Sequence, residues 1–179
     1  MKEERLYIVG YMACGKTTFG RALAQALGRE FVDLDELVER QEGAPIPQIM
    51  AERGEGGFRL AESRALKQTA AMKNVVVACG GGTPCWRDNM EFMTLHGQTL
   101  WLVASPGRIA ERIIAAGPTR PLVAGKSPEE LTDFVSSHLL SRQPFYCRAM
   151  WRLSGEHLES QKEIDDTVRD FLQKFRPEK

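Results

Sequence analysis

Residues 6–18 place the strongest constraint on the fold of this chain. They read Leu-Tyr-Ile-Val-Gly-Tyr-Met-Ala-Cys-Gly-Lys-Thr-Thr, an apolar run followed by a loop that two glycines and a lysine mark. Gly10, Gly15, Lys16 and Thr17 fit the spacing G-x-x-x-x-G-K-[ST], in which backbone N–H groups surround phosphate oxygens. The pattern predicts a buried strand that leads into a phosphate-binding loop. The alternative is an ordinary turn before a helix.

The residues after the loop favour an amphipathic helix that ends at Gly28, so the loop should lie at a helix N-terminus, where the dipole favours anions. Lys16 would reach the β- and γ-phosphates, and the Thr17 hydroxyl would lie on Mg²⁺. Ala13 stands where many such loops carry glycine. The predicted nucleotide contacts in this loop are Gly10, Ala13, Cys14, Gly15, Lys16, Thr17 and Thr18.

Length and charge exclude several classes of protein. A chain of 179 residues is most simply one domain over 1–179. Its 24 basic and 24 acidic residues cancel, so no global charge favours nucleic acid or an anionic membrane. Its apolar runs are too short for a signal peptide or a membrane-spanning helix. We therefore expect a cytoplasmic protein, and four widely separated cysteines without a C-x-x-C pair predict reduced thiols.

Short apolar runs alternate with longer helical patterns, which predicts an α/β fold with a parallel sheet between helices. Strands are predicted at Leu6–Val9, Glu30–Val32, Val75–Ala78, Thr99–Val103 and Trp151–Leu153. Helices are predicted at about 16–27, 35–42, 46–53, 57–72, 88–95, 106–115, 128–147 and 160–174. Between two helical patterns, the Pro- and Gly-rich segment 116–127 is predicted to be a mobile lid.

Two carboxylates follow the second predicted strand. Ligands of an open parallel sheet bind beyond the carboxyl ends of its strands, so Asp33 and Asp35 should face the phosphate-binding loop. The third strand supplies no acidic residue, which makes Asp33 the candidate for the Mg²⁺ shell, through water. Asp35 is then free to accept a proton from a substrate hydroxyl. The alternative is that Asp35 only caps the following helix.

Two further features lie before and after the third strand. Arg59 and Glu62 are three residues apart on a predicted helix, so Glu62 could orient the guanidinium; the alternative is a solvated ion pair. Gly80-Gly81-Gly82 follows the third strand, where three residues without side chains allow a ligand to approach the backbone closely. A plain flexible turn is the alternative.

Two arginines lie in the second half of the chain. Arg120 belongs to the predicted lid, where an arginine can neutralise charge on a transferred phosphoryl group; a surface arginine is the alternative. Arg142 stands two residues before Pro144, which should kink or break its helix and could expose Arg142 to the cleft.

In their order and spacing these features resemble the shikimate kinase family over nearly the whole chain. The phosphate-binding loop is common to many kinases, whereas a glycine triplet with Phe-Arg upstream and Arg-x-Pro-x-Tyr downstream is more specific. The features are Gly10 to Thr17, Asp33-Leu34-Asp35, Phe58-Arg59, Gly80-Gly81-Gly82, Arg120-Pro121-Leu122 and Arg142 to Tyr146. The resemblance implies a P-loop kinase-type three-layer sandwich with a five-stranded parallel sheet in the order 2-3-1-4-5 and a lid. It also implies a usually monomeric enzyme that uses ATP and Mg²⁺ to phosphorylate the 3-hydroxyl of shikimate, in the route to aromatic amino acids.

The resemblance also assigns expected roles. Lys16, Asp35 and Arg120 would be catalytic, and Thr17 and Asp33 would serve the metal. The expected shikimate contacts, in a substrate region of about 33–62 and beyond it, are Asp35, Arg59, Gly80, Gly81, Gly82 and Arg142. The adenine would lie between Arg112 and the stretch 154–159. The chemistry agrees with this, because two arginines can pair with the carboxylate of shikimate while an aspartate accepts hydroxyl protons.

Two other functions remain open at this point. One is a different small-metabolite kinase of the same fold, resembling gluconate or nucleoside monophosphate kinases. The other is a nucleotide-binding regulator without catalysis, against which the intact Lys16, Asp33, Asp35 and Arg120 argue.

Overall fold

The structure is a computed structural model that describes residues 5–117 and 126–174. In these ranges five strands form one sheet in which all neighbours are parallel, in the order β2-β3-β1-β4-β5. The strands are β1 (Arg5–Val9), β2 (Glu30–Asp33), β3 (Val75–Ala78), β4 (Gln98–Val103) and β5 (Trp151–Ser154). The predicted strand order is confirmed, and every strand bound agrees with its prediction to within one residue.

The helices follow the predicted pattern with one difference. They are α1 (Lys16–Leu27), α2 (Leu34–Glu42), α3 (Ile46–Gln68), α4 (Asn89–His96), α5 (Pro106–Ala115), α6 (Pro128–Tyr146) and α7 (Gln161–Lys174), with 3₁₀ turns at Thr69–Ala71 and Thr83–Cys85. The sequence predicts two helices where α3 lies. Gly54 inside α3 has φ 69° and ψ 177°, which are not helical angles, so the backbone bends in the predicted gap.

The sheet is covered on both faces because side chains along a strand alternate in direction. In β1, Leu6 and Ile8 pack with α1, α5, α6 and α7 in one apolar cluster. Tyr7 and Val9 pack with α2, α3 and α4 in a second cluster on the opposite face. A strand buried on both faces needs apolar residues throughout, which explains the continuous run in β1. The predicted three-layer sandwich is confirmed.

Parts of the predictions lie outside the described residues. Arg120 and most of the predicted lid, 118–125, belong to that part of the chain. All four cysteines lie within the described residues, and none of them pairs with another. Among helices of the described ranges, none is long and apolar enough to cross a membrane.

Candidate active site

The loop between β1 and α1 curls at the carboxyl edge of the sheet, as the motif predicts. Gly10 and Gly15 have φ angles of 145° and 102°, in the region that favours glycine. A Cβ on Gly10 would come within 2.5 Å of the Leu102 carbonyl oxygen, so the loop cannot hold a side chain there. Ala13 also has a positive φ, of 59°, which costs a residue with a Cβ about 1–2 kcal/mol. The loop therefore holds a locally strained shape.

The first turn of α1 is open to an anion. Its N-cap, Gly15, has no side chain to cap the first N–H groups, and the first turn contains no acidic residue. Thr17 and Thr18 are exposed at this end, whereas the Cys14 thiol is buried in the core. Only the backbone of Cys14 is thus available to a phosphate.

Lys16 folds back over the loop. Its Nζ atom donates hydrogen bonds to the carbonyl oxygens of Gly10 at 2.9 Å and Tyr11 at 2.7 Å. A phosphate would offer this ammonium group a charged acceptor, and hydrogen bonds between two ions are about twice as strong as neutral ones. Lys16 therefore lies over the phosphate-binding loop, and its contact with phosphate stays a prediction.

Thr17 and Asp33 lie together, although they come from different elements. The Thr17 hydroxyl donates a hydrogen bond of 2.8 Å to Oδ2 of Asp33. The other oxygen of Asp33 accepts the backbone N–H of Asp35 at 3.1 Å and caps α2. A hydroxyl beside a carboxylate at the phosphate-binding loop fits Mg²⁺, which prefers oxygen ligands. The idea that Asp35 caps this helix is wrong, since Asp33 makes that bond.

Asp35 therefore projects into the cleft from the first turn of α2. Its carboxylate is open to the cleft but has protein on most sides. This partial burial, together with the neighbouring carboxylates of Glu62 and Asp33, raises the pKa of Asp35 to about 6. Lys16 and Arg59 oppose the rise without cancelling it. A carboxylate with a raised pKa is a better proton acceptor while still ionised at neutral pH.

Arg59 is held by a buried acid. Nη1 of Arg59 donates to Oε2 of Glu62 at 2.8 Å, and the Glu62 side chain is fully buried. The other Glu62 oxygen accepts the Thr83 hydroxyl at 2.5 Å. The Arg59 side chain is only 13% exposed, so this pair is not the solvated surface pair of the alternative. Glu55 adds a longer contact of 3.4 Å.

The glycine triplet lies where side chains have little or no space. A Cβ on Gly80 would lie 2.6 Å from Oε1 of Glu62 and 3.0 Å from Oδ1 of Asp35. A Cβ on Gly82 would overlap the Arg59 guanidinium. Gly81 lies beside Arg142, whose Nη1 would be 3.2 Å from such a Cβ. The three glycines thus let both arginines and both acids converge.

Arg142 enters the cleft from α6. The helix continues through Pro144 and ends at Tyr146, so the prediction that the proline breaks the helix is wrong. The buried Tyr146 hydroxyl donates a 2.6 Å hydrogen bond to the Gly81 carbonyl, which ties the end of α6 to the glycine triplet. Arg142 and Arg59 line the same cleft, of about 700 Å³, as Lys16 and Asp35.

Arg112 lines the cleft beside the phosphate-binding loop. It pairs with Glu159 through Nε at 2.8 Å and Nη2 at 2.6 Å, and it donates to the Glu156 carbonyl. Its Nη1 atom reaches the Cys14 carbonyl of the phosphate-binding loop at 3.2 Å. Arg112 and the stretch 154–159 are therefore neighbours, and the adenine contact stays a prediction.

Several contacts of the site carry no motif signal. Thr83 donates a hydrogen bond to Glu62, the partner of Arg59, yet nothing in the spacing of Thr83 predicts this contact. Tyr11 occupies a variable position of the loop motif, and its hydroxyl meets His138 of α6. The only sequence hint for His138 is that it precedes Arg142 by four residues, and so shares its helix face.

A parallel sheet in this order, a phosphate-binding loop and an adjoining cleft with two arginines and two acids define a P-loop kinase fold with a second small-molecule site. Comparison with known proteins agrees: residues 12–173 match the family model for shikimate kinase. This chain belongs to the shikimate kinase family.

Individual relatives and structures lead to the same family. The shikimate kinase of Phocaeicola vulgatus is 42% identical over 171 residues, which cover 96% of this chain and 98% of the relative. The crystal structure of the Bacteroides thetaiotaomicron shikimate kinase has a TM-score of 0.90 at 38% identity, covering 95% of this chain and 97% of the other. The Acinetobacter baumannii enzyme in complex with shikimate has a TM-score of 0.79 at 34% identity, with coverages of 95% and 91%. A Sinorhizobium meliloti gluconokinase, at 19% identity and a TM-score of 0.58, shares the fold, with coverages of 96% and 91%.

Proposed function

We propose that this chain phosphorylates the 3-hydroxyl of shikimate with ATP, in the route to aromatic amino acids. The observation that carries the proposal is that Arg59 and Arg142 line the same cleft as Lys16 and Asp35. A cleft lined by two cations and a proton acceptor suits a small carboxylate that bears hydroxyls. Membership of the shikimate kinase family supports this choice of acceptor.

The two arginines would hold the carboxylate of shikimate through charge-assisted hydrogen bonds, each contributing about 1.5–3 kcal/mol. Glu62 keeps Arg59 in place for this contact. The backbone N–H groups of Gly80, Gly81 and Gly82 would complete the site. Asp35 would accept the proton of the 3-hydroxyl of shikimate. The oxygen of that hydroxyl attacks the γ-phosphorus of ATP, and ADP leaves.

On the nucleotide side, the loop N–H groups and Lys16 would bind the phosphates, and Arg112 with the stretch 154–159 would hold the adenine. Thr17 and Asp33 would hold Mg²⁺, Asp33 through water, and the ion would neutralise phosphate charge when bound. Arg120, outside the described residues, would add positive charge near the transferred group from the lid 116–127.

An acceptor panel tests the proposal. ADP release is measured by a coupled assay with shikimate, gluconate or a nucleoside monophosphate as acceptor. We expect turnover with shikimate and loss of most turnover in Arg120→Ala. Turnover with gluconate or a nucleoside monophosphate and none with shikimate would overturn it. ATP binding without turnover on any acceptor would instead indicate a regulator.

We further propose that residues 1–179 form one kinase domain that works as a cytoplasmic monomer without nucleic-acid or membrane partners. The balanced charge supports this, since it creates no strongly basic surface overall. Sedimentation equilibrium at micromolar concentration should give a mass near 20.1 kDa. A stable dimer would contradict the monomer.

A further inference from the structure

Tyr11 connects the phosphate-binding loop to helix α6. It is the first residue after Gly10, and its side chain is 1% exposed. Its hydroxyl lies 2.9 Å from Nδ1 of His138, and the two rings meet edge to face with centroids 5.5 Å apart. The loop is therefore attached to α6 by a hydrogen bond and by ring packing.

The same residue contacts a functional group on each side of the cleft. Its carbonyl oxygen accepts the Lys16 ammonium at 2.7 Å. The guanidinium carbon of Arg142 lies 5.5 Å from the centre of its ring, within the range of a cation–π contact. Because Arg142 follows His138 by one helical turn, Tyr11 touches both residues of the same α6 face.

His138 is suited to act as a neutral partner. Burial and the nearby positive charge of Arg142 both lower the pKa of His138, while the negative charge of Glu55 opposes them. A neutral imidazole keeps one nitrogen without a proton, so it can pair with a phenol hydroxyl in either direction. A charged imidazolium would instead add a second cation beside Arg142.

We propose that Tyr11, anchored by His138, is a positioning residue that couples the phosphate-binding loop to Arg142. This inference rests on the proposed function, because it takes Arg142 to bind the acceptor carboxylate. When a nucleotide draws Lys16 away from the Tyr11 carbonyl, the loop around Tyr11 loses a charge-assisted bond. The Tyr11 ring then settles against Arg142 in an altered position, and nucleotide binding changes the affinity for the acceptor.

The test measures the dissociation constant of shikimate by calorimetry, with and without MgADP, and KM and kcat for both substrates. For the unchanged chain we expect MgADP to tighten shikimate binding about fivefold or more, within the usual range of coupling between sites. We call the dissociation constant of shikimate without MgADP, divided by that with MgADP, the coupling ratio. Tyr11→Phe keeps the ring but deletes the hydroxyl, and should reduce the coupling ratio about threefold or more. His138→Phe should reduce the ratio to a similar extent. The double variant should reduce it little further, because the two substitutions remove the same hydrogen bond.

Tyr7→Phe is the matched control. Tyr7 lies in the same segment, is fully buried, and its hydroxyl is 2.9 Å from Thr69 on the opposite face of the sheet. We expect Tyr7→Phe to lose about as much stability as Tyr11→Phe but to keep the wild-type ratio of the shikimate dissociation constants without and with MgADP. Tyr11→Leu, which also removes the ring, should raise KM for shikimate more than it lowers kcat.

The outcomes separate the inference from the function on which it rests. A wild-type ratio in Tyr11→Phe and His138→Phe, or an equal loss of ratio in Tyr7→Phe, would overturn the coupling role while shikimate turnover stands. A ratio of one in the unchanged chain would also overturn it. Failure of the unchanged chain to bind shikimate would overturn the proposed function itself.

Discussion

The Glu62 carboxylate, fully buried, lies 2.8 Å from Nη1 of Arg59 one helical turn before it and 2.5 Å from the Thr83 hydroxyl. The hydrogen bond from Thr83 joins Glu62 of α3 to the 3₁₀ turn that follows the glycine triplet. Glu62 can therefore fix the position of Arg59 in the cleft without touching a substrate itself.

Replacing Glu62 should therefore affect both stability and binding. Glu62→Gln leaves the nearly buried Arg59 short of its main counter-charge and should cost about 2–3 kcal/mol of unfolding free energy. Urea denaturation measures this cost, and shikimate affinity should fall with it. Glu55→Gln is the control, because that acid is 70% exposed and its pair should contribute less than about 1 kcal/mol. Equal losses in the two variants would contradict the assignment.

The raised pKa of Asp35 predicts an acid limb in the rate profile. Below pH 6 the carboxyl is protonated and cannot accept a proton, so kcat/KM should fall about tenfold per pH unit, and it should level off above pH 6. Phosphate groups also titrate near pH 6. Glu62→Gln distinguishes titration of Asp35 from titration of the phosphates. Removing this neighbouring negative charge lowers the pKa of Asp35 and should move the acid limb to lower pH. A limb that stays fixed in Glu62→Gln would contradict the role of Asp35.

Replacing Arg142, which we propose to bind the acceptor carboxylate, should weaken acceptor binding. Arg142→Ala should weaken shikimate binding about 10- to 100-fold, the loss of one charge-assisted contact, and leave ATP affinity nearly unchanged. Fluorescence or calorimetric titration measures both constants. Arg148→Ala, an exposed arginine just beyond α6, is the control and should change neither. An unaltered shikimate constant in Arg142→Ala would remove this residue from the substrate site.

The metal assignment predicts a change in the Mg²⁺ requirement. Asp33→Asn can still cap α2 but loses its negative charge, so stability should hold while the Mg²⁺ concentration for half-maximal activity rises about tenfold or more. A Mg²⁺ titration of the rate measures this. Glu36→Gln, an exposed acid in the same helical turn, should keep the wild-type curve. Superimposable curves for Asp33→Asn and the unchanged chain would exclude Asp33 from the metal site.

The glycine triplet predicts a steric loss of function. Gly80→Ala places a methyl group against Glu62 and Asp35, so shikimate binding and turnover should fall at least about tenfold, with stability also reduced. Gly107→Ala in α5 meets no atom within 4 Å and should be neutral or slightly stabilising. Activity and thermal unfolding of the two variants give the comparison. Wild-type turnover in Gly80→Ala would show that the turn can move aside.

Much of the fold could be predicted because its signals are local. The apolar run of β1 requires cover on both faces, and the loop spacing fixes a strand, a turn and a helix in that order. Gly54 marks the bend in α3 because a φ of 69° favours glycine. Arg59 and Glu62 could be paired in advance, since residues three apart share a helix face.

The sequence by itself determined the phosphate-binding loop, the alternation of strands and helices, and the residues that carry charge. Only the tertiary structure decided that Asp33 rather than Asp35 caps α2, that Thr83 donates a hydrogen bond to Glu62, and that the Tyr11 hydroxyl bonds to His138. The contacts of Thr83 with Glu62 and of Tyr11 with His138 join residues far apart in the chain, and their distances depend on how the helices pack on the sheet. The Asp33 cap is local, but it depends on the exact residue at which β2 ends and α2 begins. Spacing along the sequence fixes which side chains share an element, whereas packing fixes which elements bring them within hydrogen-bond range.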